Sequence, residues 1–436
     1  MSFDVLPFIE TKRDGGEHAP GEMKAFVEAL QTGKVKDYQV SAWLMAAFLR
    51  GLSSEERRCL TECLADSGRR MELPPSMASV DKHSTGGVGD KTTLVLVPLV
   101  ASCGVPVAKL SGRGLGFTGG TVDKLEAIPG MRTHLEMSVF RSQVERIGCA
   151  VSGHSAELAP AEGKLYALRD VTGTVPSKDL ITTSIVSKKI AGGARSFVYD
   201  VKWGNGALME RFEEAEQLAR LLVDLSRSLG HPSRALLTSM EQPLGQWVGN
   251  AAEVREAVTI LQGGGPASTR EVCLALGGEM LCLAGAVSTP EEGEKLCAAS
   301  IGKGKALEKF RQLLEAQGGD PRVPDAPEAL LPLAEDSLSL AAVGEGWLAS
   351  VPTRRLGEAV RRLGGGRLTQ TDTVDPGVAL RLHRNIGDPV SPGEPLATLY
   401  GRDKARLEET RRALEGTFVI SPRPVEPVRW VRRRLG

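Results

Sequence analysis

Over roughly the first seventy residues, apolar and polar positions alternate with the period of an amphipathic helix. Between Gly21 and Gly33 the apolar Phe26, Val27 and Leu30 share a face, and Tyr38 to Leu49 repeats the pattern. Ser53-Ser54-Glu55-Glu56 has the hydroxyl-to-carboxylate spacing of a capping box, which opens a third helix ending at Gly68. Leu73-Pro74-Pro75-Ser76 then breaks the rhythm. From Val80 the chain changes to short apolar runs separated by glycine-rich turns and helices. Val105 to Leu110, Cys149 to Gly153, Phe197 to Val201 and Ala235 to Thr238 read as strands. Ser138 to Gly148, Leu180 to Ala191 and Glu210 to Leu229 read as helices between them. Such alternation predicts helices packed on a sheet, an α/β domain.

Across the last hundred residues or so the texture changes again, to short strands with proline and glycine turns, predicting a β-rich module. Its Gly387-Asp388-Pro389-Val390 to Leu396 stretch resembles the barrel-sandwich shape of biotinyl and lipoyl carrier domains, without their lysine-bearing hairpin.

Composition narrows the partners. The 436 residues are 41% hydrophobic and 25% charged, a globular balance with room for two or three domains. Lys plus Arg equals Asp plus Glu at 54 each, so no global charge favours nucleic acid or an acidic membrane, and any anion site must be built locally. The apolar run Leu94 to Val100 is too short to span a bilayer, and Met1 to Asp14 has no signal-peptide pattern. The seven cysteines (Cys59, Cys63, Cys103, Cys149, Cys273, Cys282, Cys297) lack zinc spacing and read as small hydrophobes of a reducing, cytoplasmic protein. The basic tail Arg429 to Arg434 reads as a solvated face.

Two glycine-rich segments carry the chemistry. One runs from Asp81-Lys82-His83-Ser84-Thr85-Gly86-Gly87 through Val88-Gly89-Asp90-Lys91 to Thr92-Thr93. The other runs from Lys109-Leu110-Ser111-Gly112-Arg113-Gly114 through Leu115-Gly116-Phe117 to Thr118-Gly119-Gly120-Thr121. Glycines let backbone N–H groups approach an anion, hydroxyls donate directional hydrogen bonds, and lysines supply charge. Thr92 or Thr93 would begin the apolar helix Leu94 to Cys103 and aim its positive end at the site. Gly86 to Thr92 is not a P-loop, because Asp90 stands where the glycine before the lysine belongs. Gly114 to Gly119 spells a dinucleotide fingerprint but follows Ser-Gly-Arg rather than a clean strand-to-helix turn.

These strings, with Thr118 to Glu126, Tyr166-Ala167-Leu168-Arg169-Asp170, Ser184 to Lys189, Asp200-Val201-Lys202 and Gly249 to Val254, closely resemble the thymidine and pyrimidine-nucleoside phosphorylases over nearly the whole chain. The resemblance implies a mixed α/β fold: a small all-helical domain (1–66 and 161–191), a large α/β phosphate-binding domain (80–152 and 195–335) and a C-terminal module (340–436). It implies phosphate held by Lys82, Ser84, Thr93, Lys109, Ser111 and Thr121, and the base held by His83, Arg169, Ser184 and Lys188. Val175, Ile185 and Leu208 would wall the pyrimidine ring. The expected partners are a pyrimidine nucleoside and phosphate, in a homodimer, without cofactor, catalytic metal, nucleic acid or membrane.

Chemically, phosphate would displace the base directly. Arg169 and Lys188 would stabilise charge on the departing pyrimidine, and His83 would donate a proton near neutral pH. His18, His134, His154, His231 and His383 read as structural. Base and phosphate would sit on different bodies, with hinges at 66–79, Ser152 to Pro160 and Gly192-Gly193. Two positions depart from the family. Phe117 replaces a histidine of many relatives, removing a polar contact to substrate. Lys91 replaces a threonine that helps bind a monovalent cation in several; Gly89, Leu244, Trp247 and Glu253 would match the other ligands. The expectation is that the Lys91 ammonium replaces the cation and pairs with Glu253. The rival readings are an anthranilate-type phosphoribosyltransferase, which would need magnesium and a pyrophosphate cradle, and a non-catalytic nucleoside- or phosphate-binding regulator.

Overall fold

The computed structural model describes residues 3–114, 116–369 and 371–436, so Leu115 of the second glycine-rich segment lies outside the described residues. Four helices open the chain: α1 (Val5–Arg13), α2 (Pro20–Gln31), α3 (Asp37–Arg50) and α4 (Ser54–Ala65). The apolar pattern predicts only the last three. Only Phe8 and Lys12 of α1 are buried, too few positions to show a period. The Ser53–Glu56 capping box forms in both directions.

The chain then enters the sheet: β1 (Val80–Ser84), α5 (Thr92–Ser102), β2 (Val107–Ser111), α6 (Thr121–Glu126), α7 (Met137–Ile147) and β3 (Cys149–Gly153). It returns to the bundle for α8 (Pro160–Thr172) and α9 (Lys178–Ala191). It re-enters the sheet with β4 (Ser196–Trp203), α10 (Phe212–Ser228) and β5 (Ser233–Ser239), followed by α11 (Asn250–Leu261) and α12 (Ala267–Leu283). Phe8, Phe26 and Trp43 stack in the bundle core, joined by Leu165 of α8 and Leu180 of α9. The other end of α9, Ile185 to Ile190, packs with α10 against Phe197 and Tyr199 of β4. This one helix therefore belongs to both cores.

The main sheet runs β5-β4-β1-β2-β3, all parallel, with the strand Val431–Leu435 antiparallel on the outer edge of β5. The basic tail is thus both the expected solvated face and a sixth strand. Its side chains are mostly exposed, but its backbone pairs with Ala235 to Thr238, and Arg433 and Arg434 reach Glu216, Glu279 and Glu294. Chain order reverses between β1 and β4, the switch point at which parallel sheets open a crevice for ligands. Helices α5, α11 and α12 cover one face with an almost wholly apolar core.

Three chain crossings join bundle and sheet side by side. Arg69 N–H donates to Glu157 O (2.9 Å), and Met71 N–H donates to Ala191 O (2.8 Å). A Cβ on Gly68 or Gly193 would lie 2.2 Å from the carbonyl oxygens of Glu157 or Met71, so side chains are excluded there. Ala159, just before α8, is the one described non-glycine residue with positive φ, at 47°. The C-terminal module holds two small antiparallel sheets. One of them takes in Trp247–Val248 from the loop between β5 and α11, paired with Ala379–Leu382.

Candidate active site

The residues expected to hold phosphate gather at the carboxyl ends of β1 and β2. Lys82, His83 and Ser84 end β1, Lys109 and Ser111 lie on β2, Thr93 opens α5 and Thr121 opens α6. Parallel pairing sets Ser84 beside Asp200 of β4, which fixes the network behind the loop. Lys82 Nζ donates to Thr92 Oγ1 (2.6 Å) and lies 3.3 Å from Asp200. The Thr92 hydroxyl and the Ser84 hydroxyl each donate to Asp90, both at 2.5 Å. Lys202 donates to Asp200 (2.7 Å) and Lys189 to Asp81 (2.6 Å). Lys109 Nζ donates to the carbonyls of Lys82 (2.7 Å) and Leu110 (3.1 Å), 3.6 Å from Asp81.

Four buried lysines, Lys82, Lys109, Lys189 and Lys202, thus share three aspartates, Asp81, Asp90 and Asp200. The cluster has positive charge to spare. Burial works to push the Asp90 carboxyl up, but Lys202, Lys82 and Lys124 hold it well below the usual carboxylate range. Burial, with Lys189 and Lys82 nearby, brings the Lys109 ammonium down to about 7 against the pull of Asp81. His83 is held neutral at pH 7, by desolvation first and then by Lys189, Lys109, Lys82 and Lys188. It therefore offers a neutral N–H donor rather than the readily titrating acid that its ordinary pKa implies.

On the facing side, α8 carries Arg169 and α9 carries Ser184 and Lys188, one helical turn apart. All three are ordered by protein partners. The Arg169 guanidinium is buried and donates to the carbonyls of Val175 (2.8 Å), Leu180 (3.0 Å) and Thr174 (3.4 Å). Ser184 and Lys188 converge on Glu162 of α8: the Ser184 hydroxyl donates to Oε1, and Lys188 Nζ lies 2.9 Å from Oε2. Lys188 Nζ also stands 5.0 Å from the Tyr166 ring centroid. Ile185 is buried, Val175 half-buried, and Leu208 exposed.

Sequence reasoning passed over three residues here. Glu162 lies seven positions before Arg169, two turns along the same helix face, and that spacing was its only signal. Lys189, to which the sequence assigns no role, is buried and ties α9 to β1 through Asp81. His154, read as structural, sits just past β3, where burial and then Lys188, Lys189 and Lys109 push its pKa well down. His18 instead stacks on Phe8, and His231 stacks on Phe197.

The two departures also resolve. Phe117 turns toward the C-terminal module, its ring 4.5 Å beneath the Arg354 guanidinium. Lys91 does not pair with Glu253. Glu253 takes Lys124 (2.7 Å), whereas Lys91 lies 3.3 Å from Glu256. The two carboxylates are three positions apart on α11, so both reach the same region and spacing alone does not separate them.

Residues 76–307 match the glycosyl transferase family a/b domain, residues 6–68 its helical bundle domain, and residues 347–421 the pyrimidine nucleoside phosphorylase C-terminal domain. The chain is 44% identical over 424 residues to the pyrimidine-nucleoside phosphorylase of Staphylococcus haemolyticus, covering 97% of this chain and 98% of that one. It is 44% identical over 423 residues to the enzyme of that name from Geobacillus stearothermophilus, covering 97% of each. Anthranilate phosphoribosyltransferase from Thermus thermophilus shares the fold (TM-score 0.55, 18% identity), spanning 71% of this chain and 98% of that one. The full-length identity and the three consecutive domain matches agree: this chain belongs to the pyrimidine-nucleoside phosphorylase family of glycosyl transferases.

Proposed function

We propose that the chain catalyses reversible phosphorolysis of thymidine, uridine and deoxyuridine, giving the free base and the (deoxy)ribose 1-phosphate. The observation that carries this is the pairing of a buried lysine–aspartate cluster at the β1–β4 switch point with a second cationic set on α8 and α9, the two joined directly by the Lys189–Asp81 ion pair at 2.6 Å. Phosphate binds against Lys82, Ser84, Thr93, Lys109, Ser111 and Thr121, where the excess of lysine receives the dianion. The base lies against Arg169, Ser184 and Lys188, with Val175, Ile185 and Leu208 as its apolar wall. As the glycosidic bond breaks, negative charge grows on the ring nitrogen and carbonyl oxygens of the base, and Arg169 and Lys188 stabilise it. Neutral His83 donates a hydrogen bond to a carbonyl of the leaving base. The phosphate dianion offsets positive charge on the sugar and attacks the anomeric carbon from the opposite face. Closure across the 66–79, 152–160 and 192–193 crossings brings the reactants together.

A second copy covers the exposed apolar face of α3, formed by Tyr38, Met45, Phe48 and Leu49. Light scattering of the wild type and of Leu49→Glu tests this, with loss of the dimer expected in the variant. The free state of all seven cysteines supports a cytoplasmic setting, and no helix among the described residues is long and apolar enough to cross a membrane.

The deciding experiment is base release from thymidine, uridine and deoxyuridine, with and without phosphate. Release that requires phosphate and falls more than about a hundredfold in Lys188→Ala supports the assignment. Magnesium-dependent turnover of phosphoribosyl pyrophosphate, or binding without release, overturns it.

A further inference from the structure

The Lys91 ammonium is enclosed by oxygen. Its Nζ donates to the carbonyls of Leu244 (2.7 Å) and Trp247 (2.9 Å) and lies 3.3 Å from Glu256 Oε1, and the residue has no solvent exposure. Three acceptors thus meet the three protons of one ammonium. Glu256 also accepts the backbone N–H groups of Gln246 (3.2 Å) and Trp247 (2.8 Å), so the 244–247 segment is folded around a single ion pair. Leu244 N–H returns to Val88 O (3.1 Å), tying that segment to the first glycine-rich loop. Gly89 stands at φ +75°, and a Cβ there would lie 2.8 Å from Leu244 O.

Two carbonyls and one buried carboxylate around a point charge are the environment of a monovalent cation: hard oxygen donors with one negative charge to balance. A free ion does not fit, because Nζ already stands at bonding distance from all three oxygens. A second positive charge there would face one carboxylate and a lysine. We propose that this chain carries its cation covalently: the Lys91 ammonium replaces a bound alkali ion, and phosphorolysis proceeds without potassium or sodium. The position of Lys91 gives this a consequence for the reaction. It immediately precedes Thr92 and Thr93 at the start of α5, so the charge that folds 244–247 also fixes the phosphate-side threonines. The same strand-forming Trp247–Val248 segment joins the C-terminal sheet, so the ammonium sits at the junction of loop, helix and module.

This inference bears on the metal requirement of the activity proposed above, and thermal unfolding tests it independently of turnover. Wild type and Lys91→Thr are compared in choline, sodium, potassium and ammonium chlorides at equal ionic strength. For wild type, melting temperature and phosphate KM should be the same in every salt, within about twofold for KM. Lys91→Thr should melt lower in choline, with KM for phosphate raised more than about tenfold. Potassium or ammonium should restore both saturably, as ligand binding to the native state requires. Lys91→Met, whose side chain fills the space without charge, should be impaired and unresponsive. Saturable activation or stabilisation of the wild type by potassium overturns the proposal, and that measurement stands even if Lys91→Thr does not fold. A folded Lys91→Thr that ignores every cation overturns it as well. A wild type that is thermally indifferent to salt but inactive on nucleosides would instead count against the activity.

Discussion

The two sides of the cleft hold their cations by different means. On the sheet side, Lys82, Lys109 and Lys202 interlock with Asp81 and Asp200 on paired parallel strands, joined by Asp90 of the glycine-rich loop and by Lys189 reaching across from α9. On the helical side, one carboxylate, Glu162, orders Ser184 and Lys188, and the carbonyls of Val175 and Leu180 order Arg169. The first arrangement is a rigid charge reservoir suited to an anion of fixed shape. The second is a light frame on two helices, suited to a planar base that arrives with its own donors and acceptors. A buried anion partner that keeps a cation pre-aimed is common to both.

The sharpest way to break this contrast is at Asp200. Asp200→Asn keeps the shape but leaves Lys82 and Lys202 without their shared carboxylate, and it should cost about 3–5 kcal/mol of stability by urea unfolding. A loss below about 1 kcal/mol would mean the lysines are already balanced elsewhere. Glu162→Gln tests the lighter frame. It should raise KM for the nucleoside about ten- to a hundredfold, equivalent to about 1–3 kcal/mol, and leave KM for phosphate unchanged. Glu162→Asp should recover part of the loss, and equal effects on both substrates would make Glu162 a merely structural residue. A subtler test uses protons. With the Lys109 pKa at about 7, much of this lysine is neutral at pH 8 and must take up a proton to hold phosphate dianion. Calorimetry at pH 8 in two buffers of different ionisation enthalpy should show uptake, absent in Lys109→Met. The smallest effect belongs far from either side: Arg433→Ala removes a half-exposed pair with Glu216 and should change stability by less than about 1 kcal/mol.

Legibility in the sequence follows the same division. The grouping on the sheet side was readable because its glycines, hydroxyls and lysines are contiguous in two strings, which adjacent strands β1 and β2 bring together. Strand Cys149–Gly153 and helices α2 and α3 are equally plain from their local pattern, whereas α1 is not. The partners were not readable. Glu162, Lys189 and Glu256 act through contacts made only once α8, α9 and α11 are placed, and a local pattern contains no such information. Glu253 follows from the resemblance alone, and Glu256, less than one helical turn further along α11, is the carboxylate that Lys91 meets. The tail's exposure was legible but its strand was not: Val431–Leu435 has the composition of a charged surface, and only backbone pairing with β5 makes it a strand.

That last strand also sets an order on the protein's synthesis. Most of β5 has its outer backbone partners at residues 431–435, which leave the ribosome only after the whole C-terminal module has been made. Until then the edge of the parallel sheet stays open, the state in which a nascent chain is most able to pair with a neighbour. The arginines therefore guard only the finished sheet: their charge discourages a second chain from adding where their own backbone stops.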